Sequence, residues 1–150
     1  MSRQSLDERL FDEIASFTRR LRSVFEVHAS ETGLTLTRAR ALFALTRRGS
    51  LSQKDLAQEL EIETPTLVRI LDGMEQQGLI ERRAAADRRV KEIHMTAEGQ
   101  AVGAAVQALA TGLRGRIVEG IAPEDLDVTL RVLLQLNRNL SVAAGKGEDS

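Results

Sequence analysis

The sequence predicts a mainly α fold with a small β-hairpin wing, an α+β winged helix-turn-helix core framed by long N- and C-terminal helices. Three observations predict it. A short helix and a longer one follow each other between Leu51 and Gln76, with start signals at Ser52 and Pro65. Two alternating segments around a basic turn come next, at Leu79 to Arg83 and Val90 to Met95. Aliphatic stripes at helical spacing fill both ends of the chain.

The elements follow in order. From Leu6 to about Val27, the residues Leu6, Leu10, Ile14, Phe17, Leu21, Val24 and Phe25 recur every three or four positions, the pattern of one long amphipathic helix. Gly33 separates it from a second helix starting near Thr37, with Ala39, Leu42, Phe43 and Leu45 as its apolar face and Arg47-Arg48-Gly49 marking its end. Ser52 can cap the third helix, Asp55 stands at its third position, and Leu51 can pack on Leu56 as a hydrophobic staple; this helix ends near Leu60. Pro65 opens the fourth helix, where the N–H that proline lacks would be unpaired anyway, and Thr64 is its expected cap. Leu67, Ile70, Leu71 and Met74 line the inner face of that helix, leaving Thr66, Arg69, Gly73 and Gln76 outward, and Gly78 ends it.

In the second wing strand Ile93 and Met95 alternate with Glu92 and His94, and Ala84 to Arg89 forms the turn. Thr96 caps a fifth helix reaching about Ile121, with Val102, Ala105, Val106, Leu109, Leu113 and Ile117 as its stripe. Gly99, Gly103, Gly112 and Gly115 each disfavour that helix by ~1 kcal/mol against alanine; close helix approach or built-in flexibility would explain them. Pro123 starts a last helix with Leu126, Leu130, Leu133, Leu134 and Leu140 on one side, and the small polar residues from Ser141 onward read as a disordered tail.

The 150 residues fit one domain, expected at 1–140, with the winged core at about 37–95 and flanking helices at about 6–30 and 97–140. The flanking helices have no second core to join within the chain, so they are expected to pair with the same helices of a second copy. A net charge of −1 argues against coating nucleic acid or membranes by bulk charge, so any DNA contact rests on local clustering. The absence of cysteine excludes disulfides, thiolate metal sites and thiol redox sensing. The sequence shows neither a signal-like start nor a long apolar run, which leads us to expect a cytoplasmic protein without membrane contact. With no Trp or Tyr, single-strand binding by base stacking is disfavoured.

The fourth helix presents small polar groups and one arginine outward, and the hairpin behind it carries Arg82, Arg83, Arg88, Arg89 and Lys91 against Glu81 and Asp87, a local charge of +3. A helix of this kind fits a DNA major groove while a wing arginine reaches the adjacent minor groove. Arg38, Arg40, Arg47 and Arg48 form a second basic run, of which one or two are expected on phosphate and the others solvated.

These residues resemble the MarR family of transcriptional regulators, close to its SlyA subgroup. The resemblance spans the chain from the first helix to Leu140. It is strongest over Leu60 to Arg69 and from Gly78-Leu79-Ile80-Glu81-Arg82 through Asp87-Arg88-Arg89 to Met95-Thr96. It implies a homodimer bound to a pseudo-palindromic double-stranded operator, acting as a repressor, with a small aromatic carboxylate or phenolic effector that weakens DNA binding. By position, Thr64, Pro65, Thr66 and Arg69 match the groove-facing helix start, Arg88 the minor-groove arginine, Asp87 and Arg89 the pair that shapes the wing, and Ser52 and Gln53 a phosphate-contacting helix start. Arg82 is counted with the DNA-binding residues. For the effector, His28, Arg22, Thr37 and Arg40 are candidates by location alone. The alanine-rich Ala84-Ala85-Ala86 departs from the polar loops of relatives, and the lack of cysteine rules out the peroxide-sensing branch.

A winged-helix interaction module without DNA is the competing reading; it would place apolar residues where this chain has a basic wing and a polar helix start. An enzyme is not expected, because no phosphate loop, nucleophilic triad or metal-ligand spacing is present and the two histidines, His28 and His94, stand far apart in sequence. No cofactor or metal is implied.

Overall fold

A computed structural model describes residues 3–145. In order these form α1 (Arg3–Ser30), α2 (Leu36–Arg48), β1 (Ser50–Ser52), α3 (Gln53–Leu60), α4 (Thr64–Gln76), β2 (Ile80–Ala84), β3 (Lys91–Met95), α5 (Ala97–Ile117) and α6 (Pro123–Ala143). The result is the expected mainly helical fold with a small antiparallel sheet. The chain divides into two compact units, residues 1–112 and 113–150.

In the first unit, α2, α3, α4 and the sheet enclose one core. Leu42, Leu45, Leu56, Leu67, Leu71, Met74, Ile80 and Ile93 are its largest wholly buried side chains, each contributing roughly 1.5–3 kcal/mol on leaving water. The inward face expected for α4 supplies three of them; Ile70 packs partly against the same core.

Helix ends follow the local chemistry. Thr35 caps α2 by accepting from the Arg38 N–H at 3.3 Å, so this helix starts slightly before the expected Thr37. Ser52 caps α3 as expected, its hydroxyl accepting from the Asp55 N–H at 3.1 Å and donating to the Asp55 carboxylate at 2.7 Å. After α3, Glu61 adopts a left-handed conformation, φ 54° and ψ 44°, a geometry that costs a side-chain-bearing residue roughly 1–2 kcal/mol. The cap of α4 is Glu63 and not Thr64, which lies inside the helix. Glu63 makes no side-chain capping bond, since Pro65 removes one of the amides a cap would serve.

The sheet has a third strand that periodicity did not reveal. Strand order is β1-β3-β2, with Leu51 opposite Ile93 and Arg82 opposite Ile93 on its other side. Three residues are too few to show alternation, and Ser52 already signals a helix start. Leu51 is buried in this strand at 8% exposure.

Thr96 starts α5 as expected. Its hydroxyl accepts from the Gly99 N–H at 3.0 Å and donates to the Gly78 carbonyl at 2.5 Å, while its own N–H donates to Leu79 O at 3.1 Å. Gly99 and Gly103 permit close approach: a methyl at Gly99 would land on the Leu79 carbonyl, and one at Gly103 would lie 3.0 Å from Thr46 Oγ1. Gly112 and Gly115 face open space in the chain, with nothing within 4 Å.

In the second unit α5 ends at Ile117, short of Ile121, where Gly120 turns the chain with φ +80°. Helix α6 then runs to Ala143, past the expected boundary at Leu140, and buries none of its residues within the chain. Leu130, Leu134 and Leu140 are 56%, 47% and 66% exposed. Positions 146–150 of the expected disordered tail lie outside the described residues.

Candidate nucleic-acid interface

Two helix starts and the wing form the candidate surface. On α4, Thr64, Pro65, Thr66 and Arg69 are all exposed, while Leu67, Leu71 and Met74 beneath them are fully buried. Burial of one stripe therefore fixes which stripe faces outward. With Glu63 as cap, Leu67 is the first residue of this helix whose N–H reaches back along the chain, to Glu63 O at 3.0 Å. The amides of Thr64 and Thr66 thus point out of the helix start. Glu61 and Glu63 flank this end and are exposed. Their carboxylates oppose phosphate there but suit a base edge, since a carboxylate accepts from cytosine N4. Ser52 and Gln53 stand half-buried at the start of α3.

The wing turn is held by its own backbone and one carboxylate. Ala85 N donates to Val90 O at 3.0 Å, Val90 N to Asp87 O at 2.9 Å, and Arg89 N to Asp87 Oδ1 at 3.0 Å. Asp87 thus holds the main chain of Arg89, which leaves the Arg88 and Arg89 side chains exposed at the tip.

Arg82 is a correction to the sequence reading. Its side chain is only 14% exposed and turns back onto α4, with Nη2 2.7 Å from Asp72 Oδ1 and Nη1 2.5 Å from Glu75 Oε2. It does not stand among the groups open to DNA. Arg83 pairs with its neighbour Glu81, Nε to Oε1 2.7 Å. The basic wing therefore narrows to Arg88, Arg89 and Lys91 against Asp87. The second basic run narrows too. Arg38 donates to Gln77 Oε1 at 2.9 Å and lies across Gly73, which is half-buried beneath it. Arg47 sits 3.8 Å from Glu59 and over the Phe43 ring.

The effector candidates have occupations of their own. The His28 ring Nδ1 donates to Val24 O at 2.8 Å, Arg22 pairs with Glu26 at 3.2 Å, and Arg40 donates to Leu60 O at 3.3 Å, where it caps the end of α3. Thr37 is half-buried. An open cavity of about 270 Å³ is lined by Arg48, Leu51, Asp55, Gln58 and Glu59, and none of the four candidates borders it.

A sequence description of the MarR family matches residues 32–90. The solved structure of the transcriptional regulator PA3341 is 36% identical, covers 88% of this chain and 98% of its own, and superposes with a TM-score of 0.80. The chain belongs to the MarR family. The likeness to PA3341 extends well beyond the matched segment, into the flanking helices. A MarR-family transcriptional regulator from Silicibacter pomeroyi is 25% identical, with 84% of this chain and 86% of that one covered and a TM-score of 0.72. FabT of Streptococcus pneumoniae, solved in complex with DNA, is 19% identical, covers 91% of this chain and 98% of its own, and shares the fold with a TM-score of 0.78.

As a MarR-family transcriptional regulator, the chain keeps Thr64, Pro65, Thr66, Arg69 and Arg88 exposed on its winged helix and moves Arg82 to an internal role. Sequence reasoning missed β1, the left-handed Glu61 and the Arg38 brace on Gly73. The first two leave no periodic signal; the brace could have been suspected from a glycine on the face of α4 that looks toward α2.

Proposed function

We propose that this MarR-family chain acts as a homodimeric, sequence-specific repressor on a pseudo-palindromic duplex operator. The observation that carries the reading is the pairing of an exposed polar face on α4, built from Thr64, Thr66 and Arg69, with an exposed Arg88 at the wing tip. In this reading Ser52, Gln53 and Arg89 position the protein on phosphates. Thr64, Pro65, Thr66, Glu63 and Arg69 read the major groove, and Arg88 reads minor-groove width. One bidentate arginine on guanine would contribute ~1–3 kcal/mol of discrimination. FabT, with the same fold, has been solved on DNA.

Dimerisation is supported by apolar surface that the chain leaves uncovered. On α1, Leu6, Phe11 and Phe17 are 52%, 59% and 54% exposed, and on α6 Leu130, Leu134 and Leu140 are exposed to a similar degree. Large apolar side chains left exposed along a helix suit an interface. We place the functional division accordingly, with a DNA-binding winged core and flanking dimerisation helices. A dimer would set two α4 helices at half-sites ~34–36 Å apart. Relief of binding by a small aromatic carboxylate or phenol, a SlyA-like character, a cytoplasmic location and the absence of catalysis complete the proposal; they rest on family resemblance. No described helix is long and apolar enough to cross a membrane.

The test is selection of duplexes from a randomised library by the purified protein, read by sequencing. An inverted repeat with half-sites about one turn apart supports the reading. A folded dimer that enriches nothing at low salt overturns it.

A further inference from the structure

Arg82 joins the two parts that the DNA reading uses. It sits on β2 at the base of the wing, opposite Ile93, and its guanidinium reaches three acceptors on one side of α4: Asp72 Oδ1 at 2.7 Å, Glu75 Oε2 at 2.5 Å and Val68 O at 3.5 Å. Positions 68, 72 and 75 are spaced four and three apart, so they line one face of the helix and present a ready socket. A planar fork with five donors can serve several acceptors at once, which a lysine ammonium on a flexible stem does not reproduce. The arginine is 14% exposed while Asp72 and Glu75 remain 57% and 45% exposed, so water screens the pair only from the acidic side.

We infer that Arg82 is a positioning residue that fixes the angle between α4 and the wing, with Asp72 and Glu75 as its socket, so that the major and minor grooves are read by one rigid body. The inference rests on the DNA-binding reading above. Its mechanical basis is leverage. Arg88 lies in the turn beyond the strand end at Ala84, on the order of 10 Å from Arg82 at ~3.3 Å per strand residue plus the turn. A rotation of about 10° at the base would carry the tip by roughly 2 Å, enough to break a hydrogen bond confined to ~2.7–3.2 Å. From the opposite side, Arg38 lies across Gly73 and donates to Gln77, so α4 is braced on two faces.

The socket also explains two acids on a helix meant for DNA. By charge alone, Asp72 and Glu75 should repel the duplex, and neutralising them should tighten binding. If they seat Arg82, neutralising them loosens the wing and weakens binding. The two accounts differ in sign.

The experiment uses the full-length chain and the duplex that library selection enriches. Asp72→Asn/Glu75→Gln, Arg82→Lys and Arg82→Gln are compared with wild type across a salt series, with circular dichroism confirming the fold. Each variant is expected to weaken specific binding about tenfold or more, comparable to one mismatched base pair, with an unchanged slope of log affinity against log salt. Binding to unrelated duplex is expected to stay within about twofold, since phosphate contacts are untouched. Should an Arg82 variant fail to fold, the double variant, whose side chains are half exposed, still decides the matter. Equal or tighter specific binding by the double variant overturns the inference, as does a slope for Arg82→Gln lower by about one, which would put Arg82 on phosphate. If wild type selects no duplex, the DNA reading itself has failed. If wild type binds, Arg69→Ala abolishes binding and the double variant matches wild type, only the positioning role has failed.

Discussion

Gly99→Ala should destabilise the protein by about 2–4 kcal/mol, although alanine is the better helix former by ~1 kcal/mol. The added methyl would land on the Leu79 carbonyl oxygen and 2.9 Å from its carbon. To reach ordinary van der Waals spacing of ~3.5 Å or more from that oxygen, the start of α5 must withdraw by roughly 1.5 Å. That withdrawal stretches Thr96 N–H to Leu79 O, now 3.1 Å, and Thr96 Oγ1 to Gly78 O, now 2.5 Å. Each is a net ~1 kcal/mol, and Leu79 is buried, so an orphaned carbonyl there adds a desolvation cost of ~1–3 kcal/mol. It also opens the seam one turn on, where Gly103 sits against Thr46, Met95 and Leu42. Urea unfolding at fixed protomer concentration reads the loss, and the melting temperature should fall by roughly 5–15 °C for a domain of this size. A variant as stable as wild type, or more so, would show that α5 can slide freely on the sheet and would refute the close-approach argument.

Gly112→Ala, with nothing within 4 Å of the new methyl, should gain up to ~1 kcal/mol from helix propensity; a loss in the same unfolding assay would contradict the open surroundings. Glu61→Gly should gain roughly 0.5–1 kcal/mol by relieving the left-handed backbone at φ 54°, the relief being partly offset by a freer unfolded chain, and a lower unfolding midpoint would count against strain at this turn. Arg88→Ala should weaken operator binding most at sites with narrow A·T minor grooves; equal loss on all sequences in a titration panel would make it a plain phosphate contact. Leu130→Glu with Leu134→Glu, at positions 56% and 47% exposed in the chain, should give a folded monomer by sedimentation, whereas an intact dimer would remove α6 from the proposed interface.

The helices were legible because each carries its own punctuation. Ser52 with Asp55, Gly78 and Thr96 mark ends through bonds made within a few residues, and those bonds are present, while Pro65 marks a start by the N–H it lacks. Where a boundary depends on competition between neighbours it moved: Thr64 is a good cap, yet the chain caps α4 at Glu63 because Pro65 fits the first turn with Thr64 already helical. Strand β1 was not legible, since its three residues gain their identity from pairing with β3, some forty positions on. The glycines of α5 were legible as anomalies only. Their meaning depends on what stands opposite, which is Leu79 for Gly99 and Thr46 for Gly103.

The same distinction decides the site. Residues whose role follows from one helix face, such as Thr66 and Arg69, stand where periodicity puts them, because buried Leu67, Leu71 and Met74 set the rotation of α4. Charge counting along the wing fails at Arg82, whose partners lie seven and ten positions back on another element. A sum over neighbours treats every arginine as available to DNA, whereas an arginine 14% exposed between two carboxylates has already exchanged water for protein acceptors. Removing it from the count lowers the field the wing offers to phosphate. It also makes the exposed tip arginines, 88 and 89, more dependent on where the hairpin points. Affinity from bulk charge tolerates a loose wing; recognition through a few tip residues does not. A chain of net charge −1 can therefore use an arginine better as a brace than as one more phosphate contact.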